Sequence, residues 1–227
     1  MAWRATYPHL DLLRAMQRAV RRSGIPVKYS SGFNPHQVLA FASAMSVGMG
    51  SDGEWLDIAL VKEMEEADCF ARLAPAMPPG IALTEVHAVE DKYPALMKIT
   101  ARADYVWRLE TEDKAPETSW QQRMRDIFAQ PLLAEKKSKK GIREVDLREY
   151  ILDFDLKRLE DGESGRSQKL CFAMTLVHAS EGALNPSLLL PALLARWGIS
   201  ALESTVRRKA LWALEGEERR PLWGLRP

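Results

Sequence analysis

Four arginines and the loop that follows them hold the residue types best suited to bind a ligand. Arg14, Arg18, Arg21 and Arg22 recur at i, i+4, i+7 and i+8, opposite Leu10, Leu13, Met16 and Val20. Next come Lys28 and the run Tyr29-Ser30-Ser31-Gly32-Phe33-Asn34-Pro35-His36. Guanidinium groups on one surface bind phosphates through forked, charge-assisted bonds. Glycine admits backbone angles closed to other residues and proline fixes the next turn, so the polar side chains of this run are held in place. Tyr29 and Phe33 offer rings, and Ser30, Ser31, Asn34 and His36 offer donors and acceptors. Between residues 4 and 28 the cations Arg4, Arg14, Arg18, Arg21, Arg22 and Lys28 face the single acid Asp11. A row of arginines can equally be the solvated side of a helix, and the adjoining polar loop is what points to a ligand.

A second basic cluster is Lys136-Lys137-Ser138-Lys139-Lys140-Gly141, with Arg143 close behind, in a loop expected over 135–143. Its charge predicts an extended, mobile connection that a polyanion or an acidic surface would order. The acid–base candidates are few. His9 and Asp11 open the first helix, where Asp11 suits the positive helix end and the pair reads better as a cap. His36 follows Asn34-Pro35 and can donate to a phosphate or a base. Asp57 stands midway along Glu54-Trp55-Leu56-Asp57-Ile58, facing either solvent or a site. His87 and His178 fall within alternating stretches and read as structural. No Ser–His–Asp order, phosphate-cradling glycine loop or paired-carboxylate signature is present.

The composition narrows the classes. The chain has 227 residues, 46% hydrophobic and 28% charged, with a net charge of +1, so any pull on nucleic acid must come from local patches. Cys69 and Cys171 lie far apart in apolar contexts and read as buried packing residues. Four scattered histidines without a CxxC pair do not match the common zinc patterns, and no cofactor is expected. With no apolar run of signal or membrane length, a cytoplasmic protein without membrane contact is expected.

The elements that carry these residues follow a duplicated pattern. Helical periodicity covers 9–23 and stops at Gly24 and Pro26. Strands are predicted over 36–43 and 54–61 with a hairpin signal at Asp52-Gly53, then a helix over 63–74 with Met64, Ala67, Phe70 and Leu73 on one face. Pro75, Pro78, Pro79 and Gly80 should end that helix, and 81–90 alternates as a strand. With a short strand around Ala2–Tyr7, this half reads β-α-β-β-α-β. The second half repeats it: a strand over 98–110 and a helix over 119–130 opened by a Ser119/Gln122 capping box. A hairpin of 150–160 with 168–178 follows, then a helix between Asn185-Pro186 and Gly198, and a strand over 203–214. The fold expected is α+β, two tandem ferredoxin-like modules with antiparallel sheets, over residues 1–95 and 96–227.

His9-Leu10-Asp11-Leu12, the arginine-rich helix, Gly24-Ile25-Pro26-Val27, the Tyr29–His36 run and Val47-Gly48 through Glu54-Trp55-Leu56-Asp57 together resemble a bacterial family. It is a radical-SAM-linked domain of unknown function, fused to or encoded beside B12-binding radical SAM proteins. Members usually carry a longer first strand, so the resemblance implies a truncated one here. It also implies a radical SAM partner, and a loose tie to RNA or ribosome metabolism. Radical SAM chemistry needs a three-cysteine motif, which two cysteines cannot supply, so that chemistry would belong to the partner.

The function expected is therefore a non-catalytic accessory that presents RNA or another polyanionic substrate to a radical SAM enzyme. Arg14, Arg18, Arg21, Arg22, Lys28 and Lys136, Lys137, Lys139 and Lys140 would contact phosphates. Tyr29, Phe33 and His36 would stack on or hydrogen-bond a base. One rival is an enzyme that modifies or cleaves RNA with His36 or His9 and Asp11 or Asp57 as acid and base. Another is a protein-only scaffold for the radical SAM partner.

Overall fold

The computed structural model describes residues 9–138, 141–162, 165–178 and 184–225, apart from the side chains of residues 9 and 136–138. The predicted opening strand around Ala2–Tyr7 lies outside them. The chain forms two compact units. One holds the residues up to Val47, Glu54–Thr100 and those from Trp212 onward; the other holds Gly48–Gly53 and Ala101–Leu211.

The first unit begins with α1 (His9–Ser23), whose Leu12, Met16, Ala19 and Val20 are buried, each large one contributing about 2 kcal/mol of hydrophobic stabilisation. Gly24 ends it at φ 66°, a left-handed angle that a side chain resists. Strand β1 (Leu39–Phe41) precedes β2 (Gly50–Ser51) and β3 (Leu56–Ile58), and β1 pairs antiparallel with β3, as the sequence predicted. The turn between them is not the expected hairpin. Residues 48–53 join the other unit, where β2 pairs in parallel with Arg207 and Arg208. Asp52 forms ion pairs there with Arg207 and Lys209. A Cβ on Gly53 would stand 3.1 Å from the Lys209 carbonyl oxygen, so this glycine serves a close approach of two backbones.

Helix α2 (Glu66–Leu73) buries Cys69 and Leu73 and leaves Ala67 exposed, a rotation from the predicted face. The α-helix stops before Pro75, as predicted, and the proline sits in a 3-10 turn, Ala74–Ala76. Val20, Ile25, Cys69 and Leu73 form the core, with Leu83 and Val86 packed against it. Those two are three residues apart, and 81–90 forms no strand; its alternation in sequence has no ladder behind it. The short α3 (Leu96–Ile99) takes up Ile99, which the sequence had placed in a strand.

The second unit runs β4 (Arg102–Thr111), α4 (Glu117–Asp126), β5 (Leu133–Ser138), β6 (Gly141–Asp146), β7 (Ile151–Asp161), β8 (Gln168–Val177), α5 (Leu189–Trp197) and β9 (Glu203–Glu215) as far as Leu211. β10 (Glu218–Arg220) pairs with the end of β9. The sheet order is β9-β4-β8-β7, and β4 and β7 both pair antiparallel with β8. Without the β5–β6 pair, this is the strand order of one split βαβ module. Within the described residues the first unit does not repeat it, because 81–90 supplies no closing strand. Helix α4 starts at Glu117 and not at Ser119 because the Gln168 side chain fixes the turn ahead of it. Gln168 Oε1 accepts from the Ala115 N–H and from Trp120 Nε1, both at 3.0 Å. Trp120, Met124 and Ile127 are buried as predicted, and Phe128 is exposed. Helix α5 has its predicted signals: Asn185 accepts from Ser187 N–H in the 3-10 turn before it, and Gly198 caps it at φ 67°.

The lysine-rich connection is not an irregular loop. Lys136 stands opposite Arg143 and Lys137 opposite Ile142 in a two-stranded antiparallel hairpin, β5–β6. Lys139 and Lys140 lie outside the described residues. Asp146 holds the hairpin's foot, accepting from the Leu132 and Arg148 N–H groups at 3.1 Å and pairing with the Arg148 guanidinium at 2.6 Å. Those bonds, the Arg148 guanidinium first, hold its carboxyl down at about 2. Cys69 is buried and Cys171 is only partly so, both as free thiols.

Candidate functional site

The helical geometry of α1 places Arg14, Arg18 and Arg21 opposite its buried face, and all three are exposed. Arg14 lies 3.4 Å from Asp11, a loose contact between two solvated groups. Arg18 and Arg21 have no ion pair among the described residues. Arg22 departs from the expected stripe, because its guanidinium donates to the Ala76 carbonyl at 2.5 Å and so braces α1 against the turn after α2. Lys28 is exposed.

The Tyr29–His36 run is a closed, outward loop. Lys28 N–H donates to Ala59 O, and Val38 N–H donates to Lys28 O, both at 2.8 Å, anchoring its two ends. Ser30 N–H donates to His36 O at 2.8 Å, and Tyr29 bridges Gln37 across the antiparallel pair. The Ser30 hydroxyl accepts from the His36 N–H at 3.1 Å and lies 2.8 Å from His36 Nδ1. Gly32 turns the loop at φ 120°, an angle that favours glycine. Ser31, Asn34, Pro35 and His36 are exposed, and Tyr29 is 46% exposed. Phe33 reaches 106% of its reference exposure, so its whole ring stands in water. No hydrogen bond among the described residues joins the arginine stripe to this loop.

The two acids take other places. Asp57 accepts from the Leu96 N–H at 2.9 Å and so caps α3, where Ala95 has no side chain to do it. Burial pushes its carboxyl up, partly offset by that bond. This gives the acid in mid-strand a structural role as a cap. Among the described residues Asp11 makes only its contact with Arg14. The His9 side chain and Lys139 and Lys140 lie outside the described residues.

Two features escaped the sequence reading. Gln37, directly after the loop, is buried at 4% exposure with neither side-chain amide atom bonded among the described residues. Its position in the inward register with Leu39 and Phe41 was the available signal. His87 stacks on Trp223 with ring centroids 4.1 Å apart, lies 5.9 Å from Trp55, and meets Glu85 at 3.0 Å. Partners so distant in sequence leave no local pattern. His178 is half-buried, its ring pushed down to about 4 by burial and by the Arg208 charge. Among the described residues no group of three or more His, Cys, Asp or Glu could hold a metal, and no helix is long and apolar enough to cross a membrane.

Among solved structures, the chain is 11% identical to a chain of an archaeal box H/ACA sRNP Nop10–Cbf5 complex, covering 89% of this chain and 43% of that one at a TM-score of 0.42. It is 16% identical to a chain of a Cbf5–Nop10–Gar1 complex, covering 77% of this chain and 40% of that one at 0.40. The chain thus spans less than half the length of either, and likeness this slight bears on neither fold nor function. No curated protein matches. Residues 5–186 match the family described as uncharacterized proteins conserved in bacteria, DUF2344, and the chain belongs to that family.

Proposed function

We propose that this protein is a non-catalytic accessory that binds RNA, or a similar polyanion, in the cytoplasm and presents it to a radical SAM partner enzyme. One observation carries the reading: a phenylalanine ring standing wholly in solvent on a hydrogen-bonded loop. A fold ordinarily hides such a ring, and a stacking platform for an unpaired base is a use that accounts for its exposure. Exposed Arg14, Arg18 and Arg21 supply the phosphate attraction, with the lysine-rich hairpin as a second basic element. The reading includes one ferredoxin-like module, supported by the strand order of the second unit.

Filter binding to total tRNA and rRNA at two salt concentrations tests it. Affinity should fall steeply with salt, and an Arg14→Glu/Arg18→Glu variant should lose most of it. Salt-independent binding, or binding untouched by that variant, overturns the reading. The partner is tested separately by co-purification with a radical SAM protein after nuclease treatment. A catalytic reading draws on the contact between Ser30 Oγ and His36 Nδ1, since a histidine can activate a hydroxyl. RNA incubated with the purified protein and mapped by mass decides between them, because turnover without a partner favours the enzyme.

A further inference from the structure

Gln37 joins the loop to β1 with its side chain nine-tenths buried, and among the described residues neither the amide oxygen nor the amide nitrogen has a hydrogen-bond partner. A primary amide offers two donors and an acceptor with two lone pairs. Leaving all of them dry costs stability that leucine at the same position would not. The amide lies beside the exposed loop: Gln37 stands opposite Tyr29 in an antiparallel bridge. Residues so paired share a face, with Cβ atoms roughly 5 Å apart. Three torsions let the amide swing towards the Tyr29 ring, itself 46% exposed. A planar ligand stacked against Tyr29 thus lies on the face that carries an amide without partners among the described residues.

We infer that Gln37 reads the edge of the bound base and that the preferred base is adenine. The inference rests on the RNA-binding reading above. An amide sets a donor and an acceptor side by side. Adenine answers with the amino group at N6 and an acceptor at N7, and again with N6 and N1 on its other edge. Guanine shows two acceptors on its N7 edge, so adenine is the one base matched on both edges. Its two-ring surface also stacks well on an exposed phenyl ring.

The test uses the full chain and labelled hexauridylate carrying one central substitution, read by fluorescence anisotropy. Adenosine should bind at least about fivefold tighter than purine riboside, which stacks alike but lacks the 6-amino group. Gln37→Leu should remove that difference while its far-UV circular dichroism stays as in the parent. Equal affinity for adenosine and purine riboside overturns the inference. So does an adenosine preference that survives in folded Gln37→Leu, which would leave the amide to a buried water. If Gln37→Leu fails to fold, the comparison on the parent protein decides alone. Binding to none of the oligonucleotides defeats the RNA reading itself, whereas base-independent binding defeats this inference only.

Discussion

His178 makes the stability of the second unit depend on pH in a calculable way. Its ring is pushed from an ordinary value of 6.5 to about 4, first by burial and then by the Arg208 charge. Arg208 itself is 1% exposed, so water does little to screen it. Between those two values the unfolded chain binds a proton that the folded chain refuses, so stability is intact above 6.5 and falls as pH drops towards 4. Relative to pH 8, the loss at pH 5 comes to about 2 kcal/mol for this one group. His178→Gln carries no such charge and should lose that part of the pH dependence. Urea unfolding at pH 8, 7, 6 and 5 reads it, with Trp107, Trp120 and Trp197 of the second unit as probes. The difference between parent and variant should change by about 2 kcal/mol across the series, or about 1 M in midpoint for a denaturant slope near 2 kcal/mol/M. Parallel pH curves would refute the reasoning and place His178 in contact with water.

Asp57→Ala should destabilise the first unit by about 1 kcal/mol through loss of the cap on α3, read by thermal unfolding, whereas Asp57→Asn keeps the acceptor and should be neutral. Neither change should alter RNA affinity, since the carboxylate is spent on the Leu96 N–H. Asp146→Ala leaves the Leu132 N–H and the Arg148 guanidinium without their shared acceptor. It should cost about 1–3 kcal/mol and speed amide exchange across β5 and β6, as hydrogen–deuterium exchange would record. Because Asp146 has a lowered carboxyl, its contribution holds above its ordinary value of 3.8 and fades as pH falls towards 2. Replacing Arg14, Arg18 and Arg21 together by Gln should lower the log–log salt slope of RNA binding by about 2, whereas Arg22→Gln should act mainly on stability through the Ala76 carbonyl.

Local periodicity and caps were legible wherever one element buries one face. The α1 helix followed from its apolar spacing and Gly24, the β7–β8 hairpin from its alternation, and α5 from Asn185 and Gly198. Long-range pairing was not legible. Asp52-Gly53 has the composition of a hairpin turn, yet β9 claims it through two cations and a parallel bridge that lie far along the chain. Residues 81–90 alternate like a strand, but Leu83 and Val86 pack on the core from chain that forms no ladder. The lysine run looked too charged to order, and register with Arg143 and Ile142 makes it a hairpin. At the candidate site, the composition of the loop was readable. The solvation of Phe33, the diversion of Arg22 and Asp57 to backbone groups, and the unpartnered Gln37 all depend on neighbours that local patterns do not name.

RNA binding as proposed requires the ring of Phe33 to be a platform for a base. Titration of a labelled single-stranded RNA with the parent protein and with Phe33→Ala, at fixed low salt, measures this directly. Loss of one stacked base should weaken binding about tenfold or more and leave the salt slope unchanged, because no phosphate contact is removed. Equal affinity for the two proteins, with both folded, would contradict it and leave the exposed ring without a role.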